Sequence, residues 1–273
     1  MLGKLIFFDV DGTLVQFDGT MPKSTGAALR RARENGHKLV ICTGRSKFQI
    51  YPWLLDFGFD GIVAAAGAYV EWQGQCISHR TVSAKALHHF VRFFEQERIP
   101  YCMQTPQGAI ATSINENRIF LMFEEKFAVS REQVRQVFGG MTVDEEPEKH
   151  TDIEKMIYYD SPYPTAQVGA ALAPWFDVTV TSFERADESS GEVTLTGITK
   201  SYGMRKMLEY TSFTQCDTIA FGDGFNDLDM MRFAGMGIAM GNAVEQIKNV
   251  ADRVTASVDE DGILHALEEM ELI

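Results

Sequence analysis

Two short segments hold acids at a spacing that calls for chemistry. Asp9–Val10–Asp11–Gly12–Thr13 sets carboxylates at i and i+2, so both leave an extended backbone on the same side. Gly12 lets the chain turn sharply beyond them. Gly222–Asp223–Gly224–Phe225–Asn226–Asp227 carries two more acids and an amide. Acids crowded in this way repel one another unless a cation lies between them, and hard oxygen ligands select magnesium. A calcium loop opening at Asp9 fails, because such a loop needs glycine at its sixth position, where Leu14 stands. Two further features suit an anion. Thr43–Gly44–Arg45 offers a hydroxyl and backbone amides at the start of a predicted helix, a cradle for phosphate oxygens. The same Thr–Gly step is equally a helix cap. Lys200 opens another predicted helix, at the end where the dipole disfavours a cation unless it answers a bound anion. A solvated lysine is the ordinary alternative.

These residues need elements to hold them. Leu5–Phe8 is an apolar run bounded by Gly3 and the Asp9–Gly12 turn, which suits a buried strand. An amphipathic stretch follows, with Ser24 as N-cap and Gly36 past its end. His37–Cys42 reads as a second strand, Ser46–Phe57 as a helix kinked at Pro52, and Gly61–Ala65 as a third strand. Alternating strand and helix is the signature of a parallel sheet with crossover helices. The rhythm returns late in the chain, with a helix at Lys200–Tyr210, a strand at Thr218–Phe221, a helix at Asn226–Phe233, a strand at Met236–Ala239 and a closing helix at Ile263–Met270. Between them, helices at Ser83–Arg98, Ser130–Phe138 and Pro164–Trp175 mix with strands at Tyr101–Gln104, Ala109–Thr112, Lys155–Tyr159 and Asp177–Thr181. The expected architecture is α/β: a doubly wound, Rossmann-like parallel sheet split over residues 1–82 and 188–273, with an α+β cap domain inserted over 83–187. The junctions are expected at Thr81–Ser83 and Asp187–Gly191. In such a sheet ligands gather at the carboxyl ends of the strands, where all four clusters fall.

Composition narrows the partners. A net charge of −13 over 273 residues argues against nucleic acid, which needs a basic patch. An anionic substrate then requires cations concentrated locally, a metal and a few placed basic side chains. The four cysteines contain no CxxC pair, so zinc and a disulfide framework are not expected, and Cys42 reads as a core thiol. His88 and His89 sit in a charged helical pattern and read as surface residues. No apolar run of ~20 residues suggests a membrane span, and the expected compartment is the cytoplasm.

With these motifs in order, the chain resembles the haloacid dehalogenase superfamily of phosphatases, and within it the Cof-type branch with an α/β (class IIB) cap. Asp9–Thr13 is similar to the family's first motif, Cys42–Arg45 to the second, Ile198–Lys200 to the third and Gly222–Asp227 to the fourth. The likeness continues through Met240–Ala243 and Asp261–Ile263. The resemblance implies a magnesium-dependent phosphatase of small phosphorylated metabolites such as sugar phosphates. It implies Asp9 as the nucleophile that becomes an aspartyl phosphate, and Asp11 as the acid and then the base. Magnesium would be held by Asp9, the backbone carbonyl of Asp11 and Asp223, with Asp227 close by. Thr43, Gly44, Lys200 and Asn226 would bind the phosphoryl oxygens. The cap would cover the site and select the leaving group, and no protein partner is implied. Two departures stand out. Ala66–Gly67–Ala68 occupies a position where the branch often carries Asn-Gly-Ala, and Lys200 is followed by Ser201–Tyr202–Gly203 where a glycine commonly comes directly. A phosphomutase, returning the phosphoryl group to a sugar, and a non-catalytic phospho-acceptor module are the alternative readings.

Overall fold

Short apolar runs become the buried strands of this protein. A computed structural model describes residues 3–16, 18–137, 140–181 and 189–273. In chain order the first elements are β1 (Leu5–Phe8), α1 (Lys23–Glu34), β2 (Lys38–Cys42), α2 (Pro52–Asp56), β3 (Gly61–Ala64), β4 (Tyr69–Trp72) and β5 (Gln75–His79). Next come α3 (Ala84–Glu97), β6 (Tyr101–Gln104), β7 (Ala109–Ala111), α4 (Ser113–Phe127), α5 (Arg131–Val137), β8 (Met141–Val143), β9 (Lys155–Tyr158), α6 (Thr165–Leu172), β10 (Phe176–Val180) and β11 (Gly191–Leu195). The chain closes with α7 (Lys200–Tyr210), β12 (Thr218–Gly222), α8 (Leu228–Phe233), β13 (Met236–Ala239), α9 (Glu245–Lys248), β14 (Arg253–Val254) and α10 (Gly262–Glu269).

These elements form two compact units, Met1–Gly44 with Pro52–His79 and Thr199–Ile273, and Arg45–Tyr51 with Arg80–Ile198. The first holds an eight-stranded sheet in the order β14-β13-β12-β1-β2-β3-β4-β5. From β14 to β3 all neighbours are parallel, and β4 and β5 add an antiparallel edge. Every residue of β1 is fully buried, as a parallel strand with both faces covered requires. Leu5 and Phe7 cluster with Met204 and Met207 of α7 and Met230 and Met231 of α8. Ile6 and Phe8 point the other way by strand alternation, and Phe8 stacks on Phe221 at 5.0 Å between ring centroids.

The second unit holds a six-stranded mixed sheet, β10-β11-β9-β6-β7-β8. One face carries Tyr101, Met103, Met156, Tyr158 and Val193 against Leu87, Phe90 and Phe94 of α3. The other carries Cys102 and Ile157 against Ile119 and Phe120 of α4.

Several expectations need correcting at their ends. The chain enters the second unit at Arg80 and returns at Thr199, not at 188. The cause is β11, which pairs with both β9 and β10 and so belongs to the second sheet. Asp187 itself lies outside the described residues, as does Phe138 at the end of the expected 130–138 helix. Residues 45–51 also belong with the second unit, where the Ser46 hydroxyl donates to Gln104 Oε1 at 3.1 Å. Ser24 is no cap: Pro22 precedes the helix and Ser24 lies inside α1, bonded to Asp261. Pro52 opens α2 instead of kinking a longer helix, as suits a residue whose missing N–H has no partner in a first turn. Helix α4 and the β4–β5 hairpin lie where no regular element is expected from the sequence.

Candidate active site

All eight candidate site residues fall in the first unit. Strand β1 runs between β12 and β2, with Phe8 level with Phe221 on one side and Ile41 on the other. Asp9, Asp223 and Thr43 therefore leave three adjacent strands at the same end of the sheet.

The turn after β1 is tight. Leu14 N donates to Asp9 O at 3.3 Å and Val15 N to Val10 O at 2.8 Å. Gly12 sits at φ +82°, and a Cβ there would collide with the Asp223 carboxylate. Glycine alone lets the two turns approach this closely. Asp9 is buried at 5% exposure, whereas Asp11 is exposed on the turn.

Lys200 begins α7 behind Thr199, whose hydroxyl accepts from Tyr202 N as a helix cap. Its side chain is fully buried, and Nζ lies 2.5 Å from Asp9 Oδ1 and 2.5 Å from Asp227 Oδ1. A cation at the positive end of a helix is unfavourable, and here two carboxylates offset that. Burial works against the charged lysine, but Asp227 and Asp9 outweigh it and hold the ammonium well above its ordinary range. Asp229 braces the same helix end, since its Oδ2 accepts from Ser201 N at 2.9 Å.

Asp227 is committed on both oxygens: Oδ1 meets Lys200, and Oδ2 accepts from Asp223 N and Gly224 N, each at 3.0 Å. Asp223 is held more loosely. Thr13 Oγ1 donates to its Oδ1 at 3.3 Å, and Asn242 Nδ2 approaches its Oδ2 at 3.4 Å. Oxygens of Asp9, Asp223 and Asp227 lie within 4.8 Å of one another. Three acids against one lysine crowd negative charge, which together with burial favours the protonated carboxyls. Burial first, then Asp227, Asp223 and Asp11, push Asp9 well above the usual carboxylate range against the pull of Lys200. Burial, then Asp227, push Asp223 up to about 7. An all-oxygen set with excess negative charge fits a hard divalent cation.

The remaining candidates differ in burial. Thr43 is buried; its N–H donates to Val63 O at 2.8 Å and its carbonyl accepts from Ala66 N at 3.1 Å. Gly44 is half-buried beside it, and Asn226 is exposed on a single 3-10 turn. Cys42 is a core thiol, pushed well above its usual range chiefly by burial. The departure at Ala66 has a backbone meaning. Ala65, Ala66 and Gly67 all take positive φ (48°, 53° and 105°), and a Cβ on Gly67 would strike Thr199 O, next to Lys200. Gly203 fits the same close approach: its Cβ would lie 3.2 Å from Gly67 Cα. Asn242, in the Met240–Ala243 segment, joins the site although the sequence pattern gives it no role there.

The sequence pattern of the haloacid dehalogenase-like hydrolases matches residues 6–267. The chain belongs to this family. It is 31% identical to YkrA of Bacillus subtilis (strain 168) over 273 residues, all of both chains. It is 25% identical over 286 residues to the 5-amino-6-(5-phospho-D-ribitylamino)uracil phosphatase YitU of the same organism, covering 97% of this chain and 96% of that one. Among solved structures, a protein of Geobacillus kaustophilus matches with TM-score 0.85 and 28% identity over 99% of this chain and 100% of its own. The class IIB sugar phosphatase BT4131 matches with TM-score 0.79 and 29% identity over 99% and 100%. The chain is thus an enzyme of the phosphatase branch of these hydrolases, with a Rossmann-like core. Among the described residues no helix is long and apolar enough to cross a membrane.

Proposed function

We propose that the enzyme hydrolyses phosphate monoesters of small metabolites, sugar phosphates or similar, through a phospho-aspartate on Asp9 and with magnesium bound. The observation that carries this reading is the buried lysine between two of three clustered acids at adjacent strand ends. Asp9, Asp223 and the backbone carbonyl of Asp11 would hold the metal. Asp227, with both oxygens already engaged, would hold Lys200 and the turn. When bound, magnesium would neutralise the surplus charge and polarise the phosphoryl oxygens.

The chain's own groups would do the rest. Lys200 fixes the Asp9 carboxylate through Oδ1. An Asp9 oxygen attacks phosphorus; the P–O bond to the leaving group breaks, and Asp11 gives that oxygen a proton. Asp11, now a carboxylate, then takes a proton from water, whose oxygen attacks the aspartyl phosphate and releases inorganic phosphate with Asp9 restored. Its exposure on the turn suits a group that must trade protons with water. Lys200 and the Thr43–Gly44 step supply donors to the equatorial oxygens, which is what phosphoryl transfer asks of a protein. Substrate choice is assigned to the second unit, since every candidate for the chemistry lies in the first.

The test is phosphate release from a metabolite panel and from an aryl phosphate, with magnesium and with chelator. Magnesium should be required, and calcium should replace it poorly. Asp9→Asn should fall to background with no covalent species. Asp11→Asn should lose about 10²–10⁴ in rate on alkyl phosphates and less on the aryl ester, while a phosphorylated protein accumulates by mass. Full activity in excess chelator, or a covalent species trapped by Asp9→Asn, would refute the scheme.

A further inference from the structure

One side chain at the site has no part in the reaction as drawn. Asn242 follows β13 in the Met240–Gly241–Asn242–Ala243 turn and is half-buried. Its Nδ2 donates to Gly12 O at 2.8 Å and reaches Asp223 Oδ2 at 3.4 Å, while its Oδ1 accepts from Val258 N at 2.9 Å. The partners fix the amide's orientation. A backbone N–H can only donate, so Oδ1 faces Val258, and the carbonyl of Gly12 can only accept, so Nδ2 faces the acids.

We infer that Asn242 is a positioning residue that sets the distance between the two halves of the metal set before any metal arrives. One half lies on the Asp11–Gly12 turn after β1 and the other is Asp223 after β12. No backbone hydrogen bond joins those two turns among the described residues beyond the strand-end bond of Asp9 N to Phe221 O. Gly12 is in a left-handed conformation and free of side-chain constraint, so an anchor on its carbonyl does what a Cβ cannot. The chemistry of the anchor matters as well. Asp223 is approached from both sides by neutral donors, Thr13 and Asn242, at 3.3 and 3.4 Å. Neutral donors orient a carboxylate and leave its charge for a cation, whereas Asp227, given to Lys200, has spent its charge. The same amide ties in the 255–262 loop through Val258. That loop is fastened elsewhere by Gln16 to Asp259 at 2.6 Å and by Ser24 to Asp261.

This inference rests on the metal-dependent reading of the site and is tested on binding, apart from turnover. Magnesium is titrated by calorimetry into the full-length wild type, Asn242→Ala and Val258→Pro, and magnesium-dependent aryl-phosphate hydrolysis is measured alongside. Val258→Pro removes the loop bond while keeping an apolar side chain at this buried position, the first of a 3-10 turn that tolerates proline. Asn242→Ala should bind magnesium about tenfold or more weakly, with activity restored by excess magnesium and substrate KM then unchanged. Val258→Pro should bind magnesium like the wild type. If the alanine variant does not fold, Asn242→Ser is read by the same criterion. Equal magnesium affinity in wild type and Asn242→Ala overturns this inference alone, as does a loss in Val258→Pro as large as in Asn242→Ala. A wild type that binds no magnesium and still releases phosphate overturns both the inference and the metal-dependent reading.

Discussion

The two units bury charge in opposite ways. In the first, Asp9 and Asp227 share one buried cation, Lys200, while Asp223 lies in the same acid cluster with neutral donors only. In the second, Lys155 is 2% exposed and pairs with Glu192 at 2.6 Å, and Glu192 keeps 23% of its side chain in water. Glu154, a buried acid there, is held toward its neutral form: burial chiefly pushes its carboxyl up to about 7. The second unit is thus balanced with what it contains. The first is short of positive charge at one spot, and that spot is the carboxyl end of its central strands. A folded protein tolerates such a deficit where something outside the chain completes it.

The largest effect should follow from removing the one shared cation. Lys200→Met leaves two buried carboxylates facing each other and should cost about 3–5 kcal/mol, a fall in Tm of roughly 10 °C for a chain of this size. Thermal unfolding of the full-length variant measures it. A Tm within 2 °C or so of wild type would break the comparison, because the acids would then be neutral in the folded state.

Glu154 offers a finer test with a definite sign. Its folded pKa lies above the unfolded value near 4.5, so its contribution is fully favourable below about pH 4.5 and is lost as pH rises through about 7. Glu154→Gln should therefore be more stable than wild type by about 3 kcal/mol at pH 8, with the gap closing by pH 4.5. Denaturant unfolding at several pH values reads it, and a gap independent of pH would show that Glu154 stays ionised. The smallest effect is expected from Lys155→Met, at about 1–2 kcal/mol, because the partner it abandons can be rehydrated. A loss matching that of Lys200→Met would mean that both units store charge alike.

How much of this is legible in sequence depends on whether the signal is local. The strands that carry the site are short apolar runs ending in Asp, Thr or Gly, and β13 and α7 have the bounds their residues suggest. The acids declare themselves because their spacing makes sense only at a strand end. Helix α4 is not legible for a physical reason: Ile119, Phe120 and Met122 are buried while Ile114, Leu121 and Phe127 are exposed, so no single apolar stripe marks it. Strand β11 hides because its meaning is its pairing with β9 and β10, which no local pattern encodes. Asn242 is the same case at the site. Its partners Gly12 and Asp223 are 230 and 19 residues away, and nothing in its immediate neighbours announces them.

The split of the first unit also sets a timetable for synthesis. Strand β1 is finished at residue 8, yet its neighbour β12 begins at Thr218, and Lys200 meets Asp9 across 191 residues. At about 5–20 residues per second, translation leaves β1 without that neighbour for roughly 10–40 s. During that interval β1 can pair with β2, and β2 with β3, but the other edge of Leu5–Phe8 is unpaired apolar backbone, the kind of surface that associates with other chains. Arg80–Ile198, by contrast, is complete in sequence apart from the short 45–51 segment, which has already been made, and emerges before the second half of the first unit, Thr199–Ile273. The nascent chain therefore has its inserted unit ready to fold first, and the Asp9–Lys200–Asp227 cluster assembles among the final events, when the segment that carries Lys200 and Asp227 leaves the ribosome.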